Sequence, residues 1–478
     1  MMNVYSEFQN ICRRRFLTQT TRGAGIAALS SLMVHANGSC HASGVLQATH
    51  VPARAKNVIH IFFSGGPSQM DLYDPKPRLR EMNGQEIPKS VVGNQRLTTM
   101  TREQAQFPLA GSQFRFLPCG DSGTELSELL PHLSTVVDRL TIIRSLYTEP
   151  INHDPAVTFL QTGSSVTGRP CLGSWVSYGL GTENANLPAF IVLLSQGARG
   201  GQPVLSKYWH SGFLPGQHQG TQFRSQGEAV INLADPEGIS RNDRRRIVTA
   251  VNDLNRIKSD AVFDPEIEAR INAFELAFQM QTSVPGLMDL SQEPQHILQM
   301  YGAEPGQASF ANNCLLARRL IERGVRFVQL FDKDWDHHAD LPAKIRRKTQ
   351  ETDRGCAALI RDLEQRGLLE DTLVICGGEF GRTAYTQGAL TATNYGRDHH
   401  PRCFTSWLAG GGIRPGMVVG RTDEFAYNIV EDPIPVHDLQ ATILHCLGID
   451  HKRLTWRHQG RDFRLTDVHG QVIEKILA

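Results

Sequence analysis

The chain has 478 residues, 40% apolar and 20% charged, an ordinary globular balance that excludes bulk disorder and a coiled coil. Lys and Arg total 49 against 48 Asp and Glu, a net charge of +1, so the charge balance does not point to nucleic acid as a partner. No apolar run suggests a polytopic membrane protein, and a chain of this length buries a large core without disulfide staples.

Residues 1–40 read as an export signal. Arg13-Arg14-Arg15-Phe16-Leu17 precedes a short apolar core, rich in small residues, from Gly23 to Val34. A basic start, such a core and a polar small-residue stretch are the parts of a signal peptide, here of the twin-arginine type. The expectation is an exported protein of the periplasm or cell envelope, with no integral membrane segment once the signal is removed. That route carries folded proteins, which suits a cofactor loaded before export. The nine Cys show no C-x-x-C spacing, which argues against a Cys-based zinc or redox motif.

Beyond the signal, strands and helices alternate. Asn57 to Phe63 is a β-rich run ending at Ser64-Gly65-Gly66-Pro67, a strand entering a Gly turn. Leu126, Leu129, Leu130, Leu133 and Val137 recur at helical spacing and predict a helix over 125–138, followed by a strand over 140–143. A helix is expected over 155–162, after Asn152-His153-Asp154. Further strands are expected at 190–194, 325–330 and 372–376, with a weaker one at 404–409. Charged helices near 240–258 and 264–281 precede the strand at 325–330, and a last helix covers 436–447. Continuous apolar strands separated by helices imply an α/β three-layer sandwich with a mostly parallel central sheet. Residues 41–478 then form a single domain, with 196–310 as an insertion or cap flanking the site.

Ligands of open α/β sheets bind outside the carboxyl ends of the strands, and four polar clusters fall there. The turn Ser64 to Asp71 offers the amides of Gly65 and Gly66 to an anion. Asn152 and His153 stand at a helix start, which favours an anion. Asp332-Lys333-Asp334-Trp335-Asp336-His337-His338 crowds three carboxylates and two imidazoles into seven residues, a density that a divalent cation would neutralise. Gly378-Glu379-Phe380-Gly381-Arg382 is joined later by Asp398-His399-His400. Mixed oxygen and nitrogen donors suit zinc, manganese or iron, whereas calcium prefers oxygen alone. Arg382 and Arg169 have planar forks fit to clamp an anion.

The motifs His60-Ile61-Phe62-Phe63-Ser64-Gly65-Gly66-Pro67, Asp74-Pro75-Lys76-Pro77, Leu172-Gly173-Ser174-Trp175, Trp335-Asp336-x-His338, Gly378-Glu379-Phe380-Gly381-Arg382-Thr383 and Asp398-His399-His400-Pro401 resemble the bacterial family called domain of unknown function 1501. That family is similar to the alkaline phosphatase/sulfatase superfamily. The resemblance implies that fold and a site with one or two divalent ions (zinc, manganese or calcium). It places His153 at the nucleophile position, as covalent nucleophile or general acid/base, beside Asn152. It places Asp334 or Asp336 with His338 at a ligand pair, and Glu379 where an Asp-His pair is expected, with Phe380 replacing the His. His399 or His400 falls at the last ligand, and Asp71 would replace a carboxylate lost at Ser64. The metal ligands expected are therefore Asp336, His338, Glu379, His399, His400 and Asp71. Two functions follow. One is an exported metal-dependent hydrolase of phosphate or sulfate esters, acting on a small anionic ester or a sulfated or phosphorylated glycan. The other is a non-catalytic glycan- or anion-binding descendant in an envelope complex.

Overall fold

Period-two alternation in the strands sets the architecture. The computed structural model describes residues 44–478 except 96, 99, 196–201, 226, 231–232, 234–237 and 262–264; the signal expected over 1–40 lies outside them. The strands that position the site are β1 (Asn57–Phe63), β2 (Leu140–Tyr147), β3 (Phe190–Leu194), β4 (Thr221–Phe223), β5 (Phe327–Asp332), β6 (Thr372–Gly377), β7 (Gly381–Thr386), β8 (Arg397–His400), β9 (Phe404–Ala409) and β10 (Met417–Val419). The helices are α1 (His153–Thr162), α2 (Leu172–Leu180), α3 (Arg241–Ala261), α4 (Pro265–Met288), α5 (Phe310–Glu322), α6 (Leu341–Gln365) and α7 (Val436–Cys446).

The central sheet runs β10-β2-β9-β6-β1-β5-β3-β4, and Ile434–Pro435 adds a short strand against β2. Every pairing in it is parallel except those of β9, which is antiparallel to β2 and β6. In β1, Ile59, Ile61 and Phe63 enter one apolar cluster, together with Leu315 and Leu320 of α5 and Leu359 and Leu363 of α6. Val58 and Phe62 enter the other, with Val157 and Leu160 of α1, Trp175 of α2 and Leu439 and Leu444 of α7. Both faces of the sheet are thus covered, the arrangement expected of a parallel sheet. Each such fully buried side chain contributes about 1.5–3 kcal/mol. Among the described residues, no helix is long and apolar enough to cross a membrane.

The helix expected over 125–138 does not form. Thr124–Ser127 is a strand paired with Phe116–Cys119, and Leu133–Arg139 is a 3₁₀ helix. Pro131 lies between them, and its ring and missing N–H bar a continuous helix. Within 196–310, β4 extends the sheet beside β3, and α3 and α4 pack against each other.

Candidate metal centre

The site lies where β1, β5, α1 and the β6–β7 junction meet. β1 ends in the Ser64-Gly65-Gly66 turn, where Gly65 has φ 122° and a Cβ would come within 2.5 Å of the Asp336 amide nitrogen. Only glycine permits that approach. β5 leads into the loop carrying Asp336 and His338. Trp335 anchors this loop: its ring stacks on Phe63 at 4.5 Å, and its Nε1 donates to Asp332 at 2.8 Å. Lys348 of α6 pairs with the same Asp332 at 2.8 Å.

Four side chains from three chain segments converge. One nitrogen each of His153, His338 and His399 and one oxygen of Asp336 all lie within 4.8 Å of one another. His338 Nε2 is 3.0 Å from His399 Nε2 and 2.7 Å from Asp336 Oδ1. His399 Nε2 is 3.4 Å from that oxygen, and His153 Nε2 is 3.2 Å from Asp336 Oδ2. On the other side of each ring, Nδ1 is held by an oxygen. Glu379 holds His153 at 2.6 Å, the Ile151 carbonyl holds His399 at 2.8 Å, and Gln387 Oε1 holds His338. An imidazole fixed at Nδ1 presents Nε2 inward, the usual preparation of a metal-binding histidine. The buried Phe380 ring lies 4.9 Å from His153 and 4.6 Å from His399, giving the site an apolar wall. His338 at 23% and Asp336 at 16% are its most exposed members, against 4% for His399, so the centre opens on their side.

The electrostatics follow from this crowding. Burial opposes charge on Asp336, but the three imidazoles and Arg382 hold its carboxyl far below the usual range. Burial also opposes protonation of His153, yet the carboxylates of Asp336 and Glu379 raise it to about 9. His399 goes the other way: burial, only partly countered by Asp336, lowers it to about 4.

The structure separates the expected site residues into those that converge and those that do not. Asp336, His338 and His399 converge. His153, expected as a nucleophile or acid/base, stands among them as a donor. Glu379 lies one layer out, accepting from the Gly65 amide at 3.0 and 3.2 Å and holding His153 at Nδ1, behind its inward nitrogen. His400 follows His399 on β8 and so points to the opposite face; its Nε2 bonds the Tyr427 carbonyl at 2.7 Å and its ring stacks on Tyr427. Asp71 is tied to Arg397 at 2.8 Å, Tyr395 at 2.7 Å and Ser68 at 2.5 Å, outside the cluster. Arg169 pairs with Asp467 at 3.0 Å. Arg382 donates to the Gly66 and Arg397 carbonyls at 2.8 and 3.0 Å, to the Gly65 carbonyl, and to Asp336 at 2.6 Å. It orients the carboxylate instead of projecting toward a ligand. The Gly65 amide is already occupied by Glu379, and Gly66 packs under Phe380. Asn152 is the N-cap of α1; its carbonyl accepts from Ala156 and its side chain caps nothing.

Sequence reasoning missed Gln387, which no spacing links to His338, and Gln202, whose Nε2 donates to Asp336 Oδ2 at 3.1 Å. Asp334 has left-handed backbone at φ 73°, and both of its carboxylate oxygens are buried without a hydrogen bond. Backbone strain of this kind clusters at functional sites.

Three solved structures illustrate the comparison with known folds. A phosphonate monoester hydrolase from Silicibacter pomeroyi is 11% identical, with a TM-score of 0.36 over 88% of this chain and 76% of that one. A sulfatase from Pseudoalteromonas sp. is 12% identical, with a TM-score of 0.34 over 83% and 68%. The alkaline phosphatase of the Antarctic bacterium TAB5 is 9% identical, with a TM-score of 0.29 over 76% and 94%. No curated protein matches the sequence. The family model described as "Protein of unknown function (DUF1501)" matches residues 55–477, and the chain belongs to that family.

Proposed function

We propose that the chain is an exported metal-dependent hydrolase of phosphate or sulfate esters, with one divalent cation held by His153, Asp336, His338 and His399. The carrying observation is the convergence of three imidazole Nε2 atoms and one carboxylate within 4.8 Å. The donor set fits such an ion. His153 Nε2 is buried and faces the Asp336 carboxylate at 3.2 Å, and three close imidazoles gain little from one another unless a shared cation takes their lone pairs. Three nitrogens and one oxygen suit zinc or a similar transition metal and disfavour calcium. Asp334, with its unpaired buried oxygens, is the group to which a second ion would be assigned.

A cation held by these four side chains would supply polarisation of an ester oxygen and a lowered pKa for water. The chain's own groups prepare for it. Glu379, Gln387 and the Ile151 carbonyl hold the Nδ1 protons and aim the three Nε2 atoms. Arg382 orients Asp336, and Phe380 keeps water from the inner side. With His153 among the donors and no hydroxyl at the head of α1, hydrolysis by direct attack of water is favoured over a covalent route. The substrate class is a small anionic ester or a sulfated or phosphorylated glycan.

The test is elemental analysis of the purified mature chain, paired with turnover of 4-nitrophenyl phosphate and 4-nitrophenyl sulfate. About one bound metal per chain and metal-dependent release of nitrophenol are expected; a protein that takes up neither zinc nor manganese refutes the reading. A second reading, a non-catalytic glycan- or anion-binding protein, is favoured by one observation: the head of α1, Asn152-His153-Asp154, offers no hydroxyl nucleophile. Stoichiometric metal without turnover of either ester would select it.

A further inference from the structure

Asp336 is held by two donors of different kinds. The Arg382 guanidinium bonds Oδ1 at 2.6 Å, and the Gln202 amide bonds Oδ2 at 3.1 Å. Arg382 comes from β7, close to the site in the fold. Gln202 comes from the segment after β3, which is docked independently. Downstream in that segment, Lys207 reaches Asp154 at 2.6 Å and the Tyr208 hydroxyl donates to the same carboxylate at 2.8 Å. Tyr208 and Trp209 are buried against Phe331 of β5, with ring centres 6.5 and 5.8 Å apart. The segment is therefore fastened both to the start of α1, which carries His153, and to β5, which leads to Asp336.

We infer that Gln202 is a positioning residue of the metal centre: its amide fixes the second oxygen of Asp336, so that the carboxylate meets the cation in one orientation. This rests on the metal reading above. The chemistry of the donor matters. A Lys or Arg at this place would add a positive charge beside a cation site that already faces Arg382. A neutral amide supplies the hydrogen bond without that charge. Asp336 then keeps its negative charge for the ion, with one fixed donor on each oxygen. Groups that orient metal ligands in this way typically account for about 10–100-fold in affinity.

The experiment measures zinc affinity by competition with a chromophoric chelator, and the thermal midpoint with zinc and with EDTA, for the wild type, Gln202→Ala, Gln202→Met and Lys207→Ala. Gln202→Met keeps the side-chain length and removes the donor, so it serves if the alanine variant folds poorly. Zinc binding weakened about 10–100-fold in both Gln202 variants is expected, with the EDTA midpoint unchanged and the zinc-induced rise reduced. Lys207→Ala should keep wild-type affinity, because the Tyr208 hydroxyl still holds Asp154 and Tyr208 and Trp209 still pack on Phe331, so the segment stays docked. Wild-type zinc affinity in the Gln202 variants overturns the inference while leaving the metal centre intact. An equal fall of the EDTA and zinc midpoints with unchanged affinity also overturns it, since Gln202 would then act only in folding. A wild type that binds no zinc refutes the metal reading itself.

Discussion

Asp71 and Asp336 are both buried carboxylates that meet an arginine, yet they sit in opposite kinds of surroundings. Asp71 is fully enclosed with Arg397 at 2.8 Å, and Tyr395 and Ser68 complete its hydrogen bonds. Burial opposes charge on both partners, but the pairing prevails: the carboxyl is held low and the guanidinium high. Asp336 shares its arginine with the carbonyls of Gly65, Gly66 and Arg397 and faces three imidazoles that the chain leaves with inward nitrogens. The first region is electrostatically closed. The second, on the proposed reading, is the one that a cation would complete. Carboxylate burial is therefore a poor guide to function; what separates the two is whether neighbouring donors are already spent.

Breaking the closed region should give the largest effect. Arg397→Met strands the Asp71 charge, and removing one partner of a buried pair costs about 3–5 kcal/mol; urea unfolding checks this, and zinc stoichiometry of the folded fraction should stay at wild type. Asp336→Asn attacks the open region. It should weaken zinc binding by more than ~100-fold, beyond the range for residues that only orient ligands, while the unfolding free energy of the zinc-free protein falls much less than in Arg397→Met. Chelator competition and unfolding in EDTA together decide this.

Glu379→Gln sharpens the contrast from one layer out. It keeps the shape beside His153 and removes the charge, so zinc affinity should fall about 10–100-fold, read by the same competition. A pH readout concerns a third kind of buried carboxylate. Asp353 accepts the backbone N–H groups of His132 and Leu133, at 2.6 and 2.8 Å, and makes no ion pair among the described residues. Burial outweighs those bonds and raises its pKa from 3.8 to about 6. Between these values the folded chain holds a proton that the unfolded chain has released. Stability therefore falls as pH rises through that window, by about 1.4 kcal/mol per unit. Relative to Asp353→Asn, the wild type should lose stability across the window; parallel pH profiles of the two proteins in urea unfolding would count against the assignment.

The strands were legible because β1, β3, β5 and β6 are unbroken apolar runs bounded by turn residues, and burial on both faces leaves little ambiguity. The region 125–138 was not, because Leu126, Leu129, Leu130 and Leu133 match helical spacing although Pro131 divides them into a strand and a 3₁₀ helix. At the site, the acidic loop after β5 announced itself by its density of charge. The choice between His399 and His400 depended on which face of β8 each meets, and residue type cannot decide that. Asp71 and Arg169 looked free in the sequence because their partners, Arg397 and Asp467, lie far along the chain. Gln202 and Gln387 carried no signal, since an amide marks a metal centre only through what it touches.

The four donors belong to α1, the loop after β5 and strand β8, so three segments far apart in the chain must dock before the last nitrogen arrives. An ion seated there acts as a proofreader of assembly: it is retained only by chains whose distant parts have docked, and any local opening sets it free. Metal content would thus report conformational quality of a preparation as directly as catalytic competence.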